Sequence, residues 1–278
     1  HGAFRAFFKG IPTSGFVVAG IDHPVVRGLI EKLDANGAPV ASFGLAPRSE
    51  IRIGNIVTRG GSVSFDAHIA DRPDEQPIYK RGISLKVAGA HNALNAAAAA
   101  VVGHRLGLSI DTIFDALATF EGVDRRFTQT GEWNGVAIYD DYAHHPAEIE
   151  AALSAARGAA EGNVIAVMQP HRFSRLKSLF ESFCRCFSQA DTVLVAPVYP
   201  AGEVPNGFDR DKLIDGIREA GHSRVYPIEG EDTLARTVAA IARPGDLVIG
   251  LGAGTISEWA RALPGRLSKY SPLAGAAE

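Results

Sequence analysis

Apolar and polar positions alternate in short runs through the first third of the chain. They then follow a helical period and, from about residue 136, settle into repeated strand–helix units. Phe16-Val-Val-Ala-Gly-Ile-Asp22 reads as a buried strand ending in a turn, and Pro24 to Leu33 as a short helix with Val26, Leu29, Ile30 and Leu33 on one face. Val40-Ala-Ser-Phe43 is a second strand. Ile51 to Val57 and Ser62 to Ile69 alternate with period two around Gly60-Gly61, which predicts an antiparallel hairpin. Asp71 to Lys80 is polar with two prolines and reads as a loop, and Ile83 to Val87 closes this sheet. The alanine-rich run from Gly89 to Leu106 predicts a helix stopped by Gly107, and a second helix runs from about Asp111 to Phe120 with Ser109 as its cap.

The pattern breaks at Glu121-Gly-Val-Asp-Arg-Arg-Phe127, which places a domain boundary near Gly122. Beyond it, apolar runs at 136–140, 164–168, 192–196, 224–228 and 246–251 alternate with helical stretches at about 146–158, 174–189, 210–220, 231–242 and 255–262. Repeated βα units imply an α/β fold, with a mainly parallel, doubly wound sheet carrying helices on both faces. Residues 271–278 read as a frayed end.

Composition narrows the class without naming a function. The 278 residues are 46% apolar and 21% charged, ordinary for a soluble globular protein. A net charge of −3 leaves no basic footprint for nucleic acid and no polybasic membrane anchor. No uninterrupted apolar run approaches the roughly 18 residues of a spanning helix. The opening is too short and broken for a signal peptide, and the absence of Met at position 1 suggests a processed or truncated chain. Cys184 and Cys186 stand two apart on a helical pattern, facing different ways, which favours free thiols and a cytoplasmic setting over a disulfide or a chelate.

Ligands of open α/β sheets bind beyond the carboxyl ends of the strands. The chemistry-bearing residues collect there. The strand at 136–140 runs into Asp140, Asp141, Tyr142, His144 and His145, with Pro146 suited to the first turn of a helix. Two carboxylates and two imidazoles can hold a metal, a ribose, a phosphate or a reacting amine; capping would explain one Asp and neither His. The strand at 164–168 leads into Gln169, Pro170, His171, Arg172 and, a turn later, Arg175; that at 192–196 leads into Tyr199 and Glu203. Guanidiniums there suit an anionic substrate. Gly252-Ala-Gly254 opens the last helix and could present backbone N–H groups to an anion, or simply turn the chain. Asn92 and Asn95 share a helix face, where they can read an adenine edge or a ribose hydroxyl, or cap the helix. Arg125-Arg126 lies at the domain junction, placed to meet phosphates or merely solvent. No Gly-x-x-x-x-Gly-Lys-Ser/Thr phosphate loop is present.

Gly89-x-His-Asn-x-x-Asn-Ala96, Asp140-Asp-Tyr-x-His-His-Pro146, Gln169-Pro-His-Arg172 and Leu251-Gly-Ala-Gly254 together resemble the Mur ligases, ATP-dependent amide ligases of peptidoglycan precursor synthesis. Gly122-Val-x-Arg-Arg-Phe127, Thr130-Gly-Glu-Trp-Asn-Gly135 and Tyr199-Pro-Ala-Gly-Glu203 extend the likeness along nearly the whole chain, closest to the alanine-adding branch. The resemblance implies that residues 1–122 are the second half of a central ATPase domain and 123–278 a Rossmann-like C-terminal domain. It implies that the UDP-binding domain, the phosphate loop and most Mg²⁺ ligands lie in N-terminal domains of the same protein that precede residue 1. It implies ATP and Mg²⁺ as cofactors, and UDP-N-acetylmuramate and L-alanine as small-molecule substrates joined through an acyl phosphate. It places His91, Asn92 and Asn95 at adenine and ribose, Asp141 at the ribose, and Arg125 and Arg126 facing the nucleotide. Tyr142 and His144 then sit near the transferring phosphoryl group and the amino acid, and His171 and Arg172 hold a carboxylate or the acyl phosphate. Ala90, Ala143 and Thr255 depart from the commonest pattern; Ala143 also occurs in relatives that recycle a tripeptide onto UDP-muramate.

Three other readings compete. A tripeptide-recycling ligase shares the motifs. A non-catalytic nucleotide- or anion-binding α/β module fits a chain without a phosphate loop. A Rossmann oxidoreductase is disfavoured, because no Gly-x-Gly-x-x-Gly follows the first strand of either domain.

Overall fold

The strand patterns are realised as two sheets in two separate units, His1–Glu121 and Gly122–Glu278. The computed structural model describes residues 2–12, 14–34, 39–59, 61–70 and 76–270. Gly60 of the hairpin turn, residues 71–75 of the expected loop and the expected frayed end lie outside the described residues.

The first sheet runs β1 (Val17–Gly20), β2 (Val40–Gly44), β3 (Ile51–Arg59), β4 (Ser62–Ile69) and β5 (Ile78–Leu85) in spatial order. β1, β2 and β3 are parallel, while β3–β4 and β4–β5 are antiparallel. Helix α1 (Gly2–Lys9), unassigned by the sequence pattern, precedes β1, and α2 (Pro24–Asp34) connects β1 to β2. Helix α3 (Ala90–Arg105) buries Ala93, Ala96, Ala97, Ala100 and Val101 in the same core as Ile51, Ile53, Val63 and Phe65. α4 (Ile110–Ala118) starts at Ser109, whose hydroxyl accepts from the Thr112 N–H at 3.1 Å. The expected 71–80 loop ends earlier than its polarity suggested. Ile78, Tyr79 and Lys80 already pair with Ile69, His68 and Ala67, because cross-strand pairing outweighs local composition.

The second sheet is ordered β10-β9-β8-β11-β7-β6, all parallel except β6. Its strands are β6 (Thr128–Trp133), β7 (Val136–Asp141), β8 (Val164–Met168), β9 (Thr192–Val195), β10 (Val225–Pro227) and β11 (Leu247–Leu251). Helices α5 (Pro146–Ala159), α7 (Phe180–Arg185) and α8 (Arg210–Glu219) cover one face, packing Ile149, Leu153, Phe183 and Leu213 with Val164, Ala166 and Ile249. On the other face α9 (Glu231–Ile241) and α10 (Ile256–Leu267) pack Leu234, Val238 and Leu263 with Ile165, Val167 and Val248. Each fully buried side chain of this kind contributes about 1.5–3 kcal/mol. β11 inserts between β7 and β8, so the loops leaving β7 and β8 flank the loop leaving β11.

Three features depart from expectation. β6 has no counterpart in the sequence reading; it pairs antiparallel with β7 through Asn134-Gly135, whose φ values of 49° and 73° suit a tight hairpin turn. The expected 174–189 helix is two, α6 (Phe173–Ser178) and α7, separated at Leu179 although no breaker stands there. α10 runs past the expected end at 262 and carries Pro264 inside it. A proline at that position cannot donate to the Ala260 carbonyl one turn back. The Thr130 hydroxyl of β6 lies 3.0 Å from that oxygen and donates in its place. Thr130→Val should therefore lower the unfolding free energy by about 1–2 kcal/mol, the cost of an orphaned buried acceptor, in urea titrations. A loss of under about 0.5 kcal/mol would place that carbonyl in contact with water.

Cys184 and Cys186 are buried free thiols, Cys184 in α7 and Cys186 just beyond it. Among the described residues no helix is long and apolar enough to cross a membrane.

Candidate active site

The loops leaving β7, β8 and β11 converge on a cleft of about 750 Å³ lined by Tyr142 and His144 after β7, His171, Arg172 and Arg175 after β8, and Ala253 after β11. Local chemistry explains each position. Asp141, only 6% exposed, closes β7 by accepting the Ala143 N–H at 2.7 Å on one oxygen and the Phe127 N–H at 2.8 Å on the other. The Tyr142 N–H donates to the Arg125 carbonyl at 2.7 Å, so the segment 125–127 is tied to the start of this loop. Arg125 and Phe127 both hold positive φ, 61° and 50°, which these bonds sustain. The Arg125 and Arg126 guanidiniums then lie 4.7 and 5.6 Å from the centre of the Tyr142 ring.

Asp140 points the other way, is 1% exposed, and accepts a short bond from the Ser257 hydroxyl of α10. Its carboxylate is 3.7 Å from Arg125 Nε, while Arg125 Nη2 donates to the Gly252 carbonyl at 3.0 Å. Burial pushes both carboxyls above their ordinary value of 3.8, against the hydrogen bonds and arginines that favour the charged forms. The folded chain therefore takes up these protons more readily than the unfolded chain. Stability from this source is gained as pH falls through the raised folded value towards 3.8, and lost as pH rises. Asp140→Asn removes one such titration. The variant's stability relative to the parent should decline as pH is lowered from about 7 to about 4, read from urea midpoints. A difference that does not change with pH would mean Asp140 titrates alike in both states.

At the head of α5, Glu148 caps the N–H groups of His144 and His145 at 3.0 and 3.3 Å. His144 Nδ1 lies 2.9 Å from the Tyr142 carbonyl oxygen. Its ring centre is 5.9 Å from that of His171, which stacks on Tyr199 at 5.3 Å and 14°. Burial lowers the His171 pKa, helped by Arg175, His144 and Arg172 and opposed by Glu203. Arg172 adopts φ 71° between backbone bonds to Tyr199 and Leu176. Its guanidinium is half exposed and 3.8 Å from Glu203, which also accepts the Ser174 N–H and hydroxyl at 2.8 and 2.6 Å.

The Gly252-Ala-Gly254 turn serves packing. The Gln169 side chain accepts the Ile256 N–H at 3.1 Å and donates to Thr255 at 3.0 Å, occupying the start of α10 where an anion could have bound. A Cβ on Gly254 would lie 2.5 Å from Gln169 Oε1 and 2.7 Å from the Tyr199 ring.

In the other unit, His91, Asn92 and Asn95 stand in the first turns of α3. Asn92 caps nothing: its amide donates back to the Ala88 carbonyl at 2.7 Å and accepts from the Asn95 amide at 3.1 Å. Among the described residues no group of three or more His, Cys, Asp or Glu is arranged to hold a metal ion. Sequence reasoning missed Glu148 and Ser257. Glu148 was visible in principle, three residues past the helix start at His145; Ser257 has no local signal, since its partner is 117 residues away.

Comparison with known proteins reaches the same assignment independently. Residues 2–103 match the Mur ligase middle domain, and residues 125–254 match the Mur ligase glutamate ligase domain. A UDP-N-acetylmuramate–L-alanine ligase of Xanthobacter autotrophicus is 50% identical over 273 residues, 98% of this chain and 58% of that protein. One of the same name from Methylorubrum populi is 51% identical over 267 residues, 96% of this chain and 57% of its own length. The chain thus spans a little over half the length of these relatives. Among solved structures, UDP-N-acetylmuramate–alanine ligase of Thermotoga maritima shares the fold with a TM-score of 0.72 at 23% identity, over 96% of this chain and 55% of its own. A MurF ligase of Thermotoga maritima, solved in complex with ADP, gives 0.69 at 20% identity, over 94% of this chain and 56% of its own. The two matched domains follow one another along the chain in the order of the sequence motifs, and the chain belongs to the Mur ligase family.

Proposed function

We propose that this chain carries the amino-acid site and part of the nucleotide site of an ATP-dependent ligase that joins L-alanine to UDP-N-acetylmuramate through an acyl phosphate. The observation that carries this reading is the convergence of Tyr142, His144, His171, Arg172 and Arg175 on one cleft at the carboxyl ends of β7 and β8. Two guanidiniums beside two imidazoles suit a reaction in which a carboxylate must be held, phosphate charge neutralised and an amine brought to an acyl carbon. In this reading His171 and Arg172 hold the amino-acid carboxylate or the acyl phosphate, and Tyr142 and His144 face the amine and the transferring phosphoryl group.

Unit His1–Glu121 serves as the second half of the central domain and supplies His91, Asn92 and Asn95 to adenine and ribose. Unit Gly122–Glu278 serves as the C-terminal domain, with Arg125 and Arg126 facing the nucleotide phosphates. Both Asp141 oxygens already accept backbone N–H groups. Its main task is then to hold the loop, leaving one lone pair on each oxygen for a ribose hydroxyl. Among the described residues no donor set forms a ready-made Mg²⁺ cage, so in this reading the metal takes its ligands from phosphates and from the remaining length of the protein, which also supplies the phosphate loop and the UDP site.

Phosphate release from ATP with Mg²⁺ and UDP-N-acetylmuramate tests the reading, with L-alanine, glycine, L-serine or the recycled tripeptide offered in turn. The complete gene product should turn over with L-alanine, and this chain should not turn over alone. Preference for the tripeptide would move the assignment to the recycling branch. Silence with every acceptor would leave a binding module.

A further inference from the structure

The two cleft imidazoles have opposite hydrogen-bond partners, and those partners fix their tautomers. His144 Nδ1 lies 2.9 Å from the Tyr142 carbonyl oxygen. A carbonyl only accepts, so Nδ1 carries the proton and neutral His144 keeps its lone pair on Nε2. Glu148, 3.4 Å from the same Nδ1, favours that arrangement. His171 Nδ1 lies 3.2 Å from Arg175 Nη1. A guanidinium only donates, so here Nδ1 holds the lone pair and Nε2 the proton. Arg175 sits one helical turn after His171 and also donates to its carbonyl at 3.3 Å, so backbone and ring are gripped together. The stacked Tyr199 ring fixes the plane of the imidazole. The charged or titratable groups facing His171 are Arg175, Arg172, His144, Glu203 and Tyr199; the two arginines oppose a positive charge on the ring, and Glu203 favours one.

We propose that His144 and His171 are locked as opposite tautomers, so that His144 Nε2 removes a proton from the incoming ammonium while His171 Nε2–H donates to an anionic oxygen of the amino acid or the acyl phosphate. The substrates rest on the ligase reading above; the tautomers do not. The ammonium gives one proton to His144, which becomes imidazolium. The freed nitrogen lone pair forms the C–N bond to the acyl carbon, and the C–O bond to phosphate breaks. The leaving phosphate takes the second nitrogen proton and departs as hydrogen phosphate, so charge and protons balance. His171 exchanges no proton. Arg175 is a positioning residue: it acts through His171.

Long-range ¹H–¹⁵N spectra of the imidazoles, recorded on this chain near neutral pH, read the tautomers directly. His171 should show a protonated Nε2 and an unprotonated Nδ1, and His144 the reverse. Arg175→Met should convert His171 to a mixture of tautomers and leave His144 unchanged. Nδ1 protonation of His171 in the parent, or an unaltered His171 in the variant, overturns the proposal; the parent spectrum decides alone if the variant does not fold. In the complete gene product, His144→Gln should slow amide formation about 10²–10⁴-fold and abolish the acid limb of the pH–rate profile. His171→Gln, which keeps an N–H donor, should leave that limb in place; its loss there instead would reverse the two roles. Absence of turnover with the tautomers as assigned would refute the ligase reading and leave the tautomer lock standing.

Discussion

Replacing Gly254 with valine is expected to destabilise the C-terminal unit by about 3 kcal/mol, at the upper end of overpacking costs, and to disorder the cleft. The first added carbon alone would lie 2.5 Å from Gln169 Oε1 and 2.7 Å from Tyr199 Cγ. Neither neighbour can yield cheaply. Gln169 is 4% exposed and its amide is bonded at both ends to the start of α10. Tyr199 is stacked on His171 and takes part in the backbone bonds Arg172 N–H to Tyr199 O and Tyr199 N–H to Pro170 O, both 2.8 Å. Three strand-end loops therefore meet where the valine would stand. Both tryptophans, Trp133 and Trp259, belong to this unit, so their fluorescence in urea reports its unfolding. A valine variant within about 0.5 kcal/mol of the parent would show that the loops part freely.

Substitution of Arg172 should separate activity from stability. Its backbone φ of 71° is one that a side chain disfavours by about 1–2 kcal/mol and glycine does not. Arg172→Ala and Arg172→Gly both remove the guanidinium, and each should lower ligation by the complete gene product about 10²–10³-fold if the site reading is right. The glycine variant should nevertheless be the more stable by about 1 kcal/mol. Arg172→Lys should recover little, because an ammonium lacks the planar two-pronged donor of arginine. Equal stability of the alanine and glycine variants would mean that the loop relaxes out of this conformation. Undiminished turnover in both would remove Arg172 from the site.

The inner parallel strands β8, β9 and β11 were legible because they are buried on both faces and so read as unbroken apolar runs. β6 was not. Thr128-Gln-Thr-Gly-Glu-Trp133 is a polar edge strand, and only the Asn134-Gly135 pair after it advertises a hairpin. The break at Leu179 was invisible because Leu176, Leu179, Phe180 and Phe183 keep a helical period across it. The cleft was legible in part. Chemistry placed after successive parallel strands must converge, which is why Tyr142, His144, His171 and Arg172 line one space. What each group does there depends on partners that spacing does not reveal. Spacing does not show that Gln169 already accepts the Ile256 N–H beside the double glycine, nor that each Asp141 oxygen already accepts one backbone N–H.

The bond from Thr130 to the Ala260 carbonyl bears on how the protein can be taken apart. A construction that began at the first parallel strand, Val136, would look tidy by topology. It would strip β7 of its hairpin partner, offering bare backbone to any passing strand, and would leave a gap in the last helix unmended. The smallest excised piece that keeps its own seams closed must start ahead of Phe127, so the stretch that reads as linker travels with the domain it precedes.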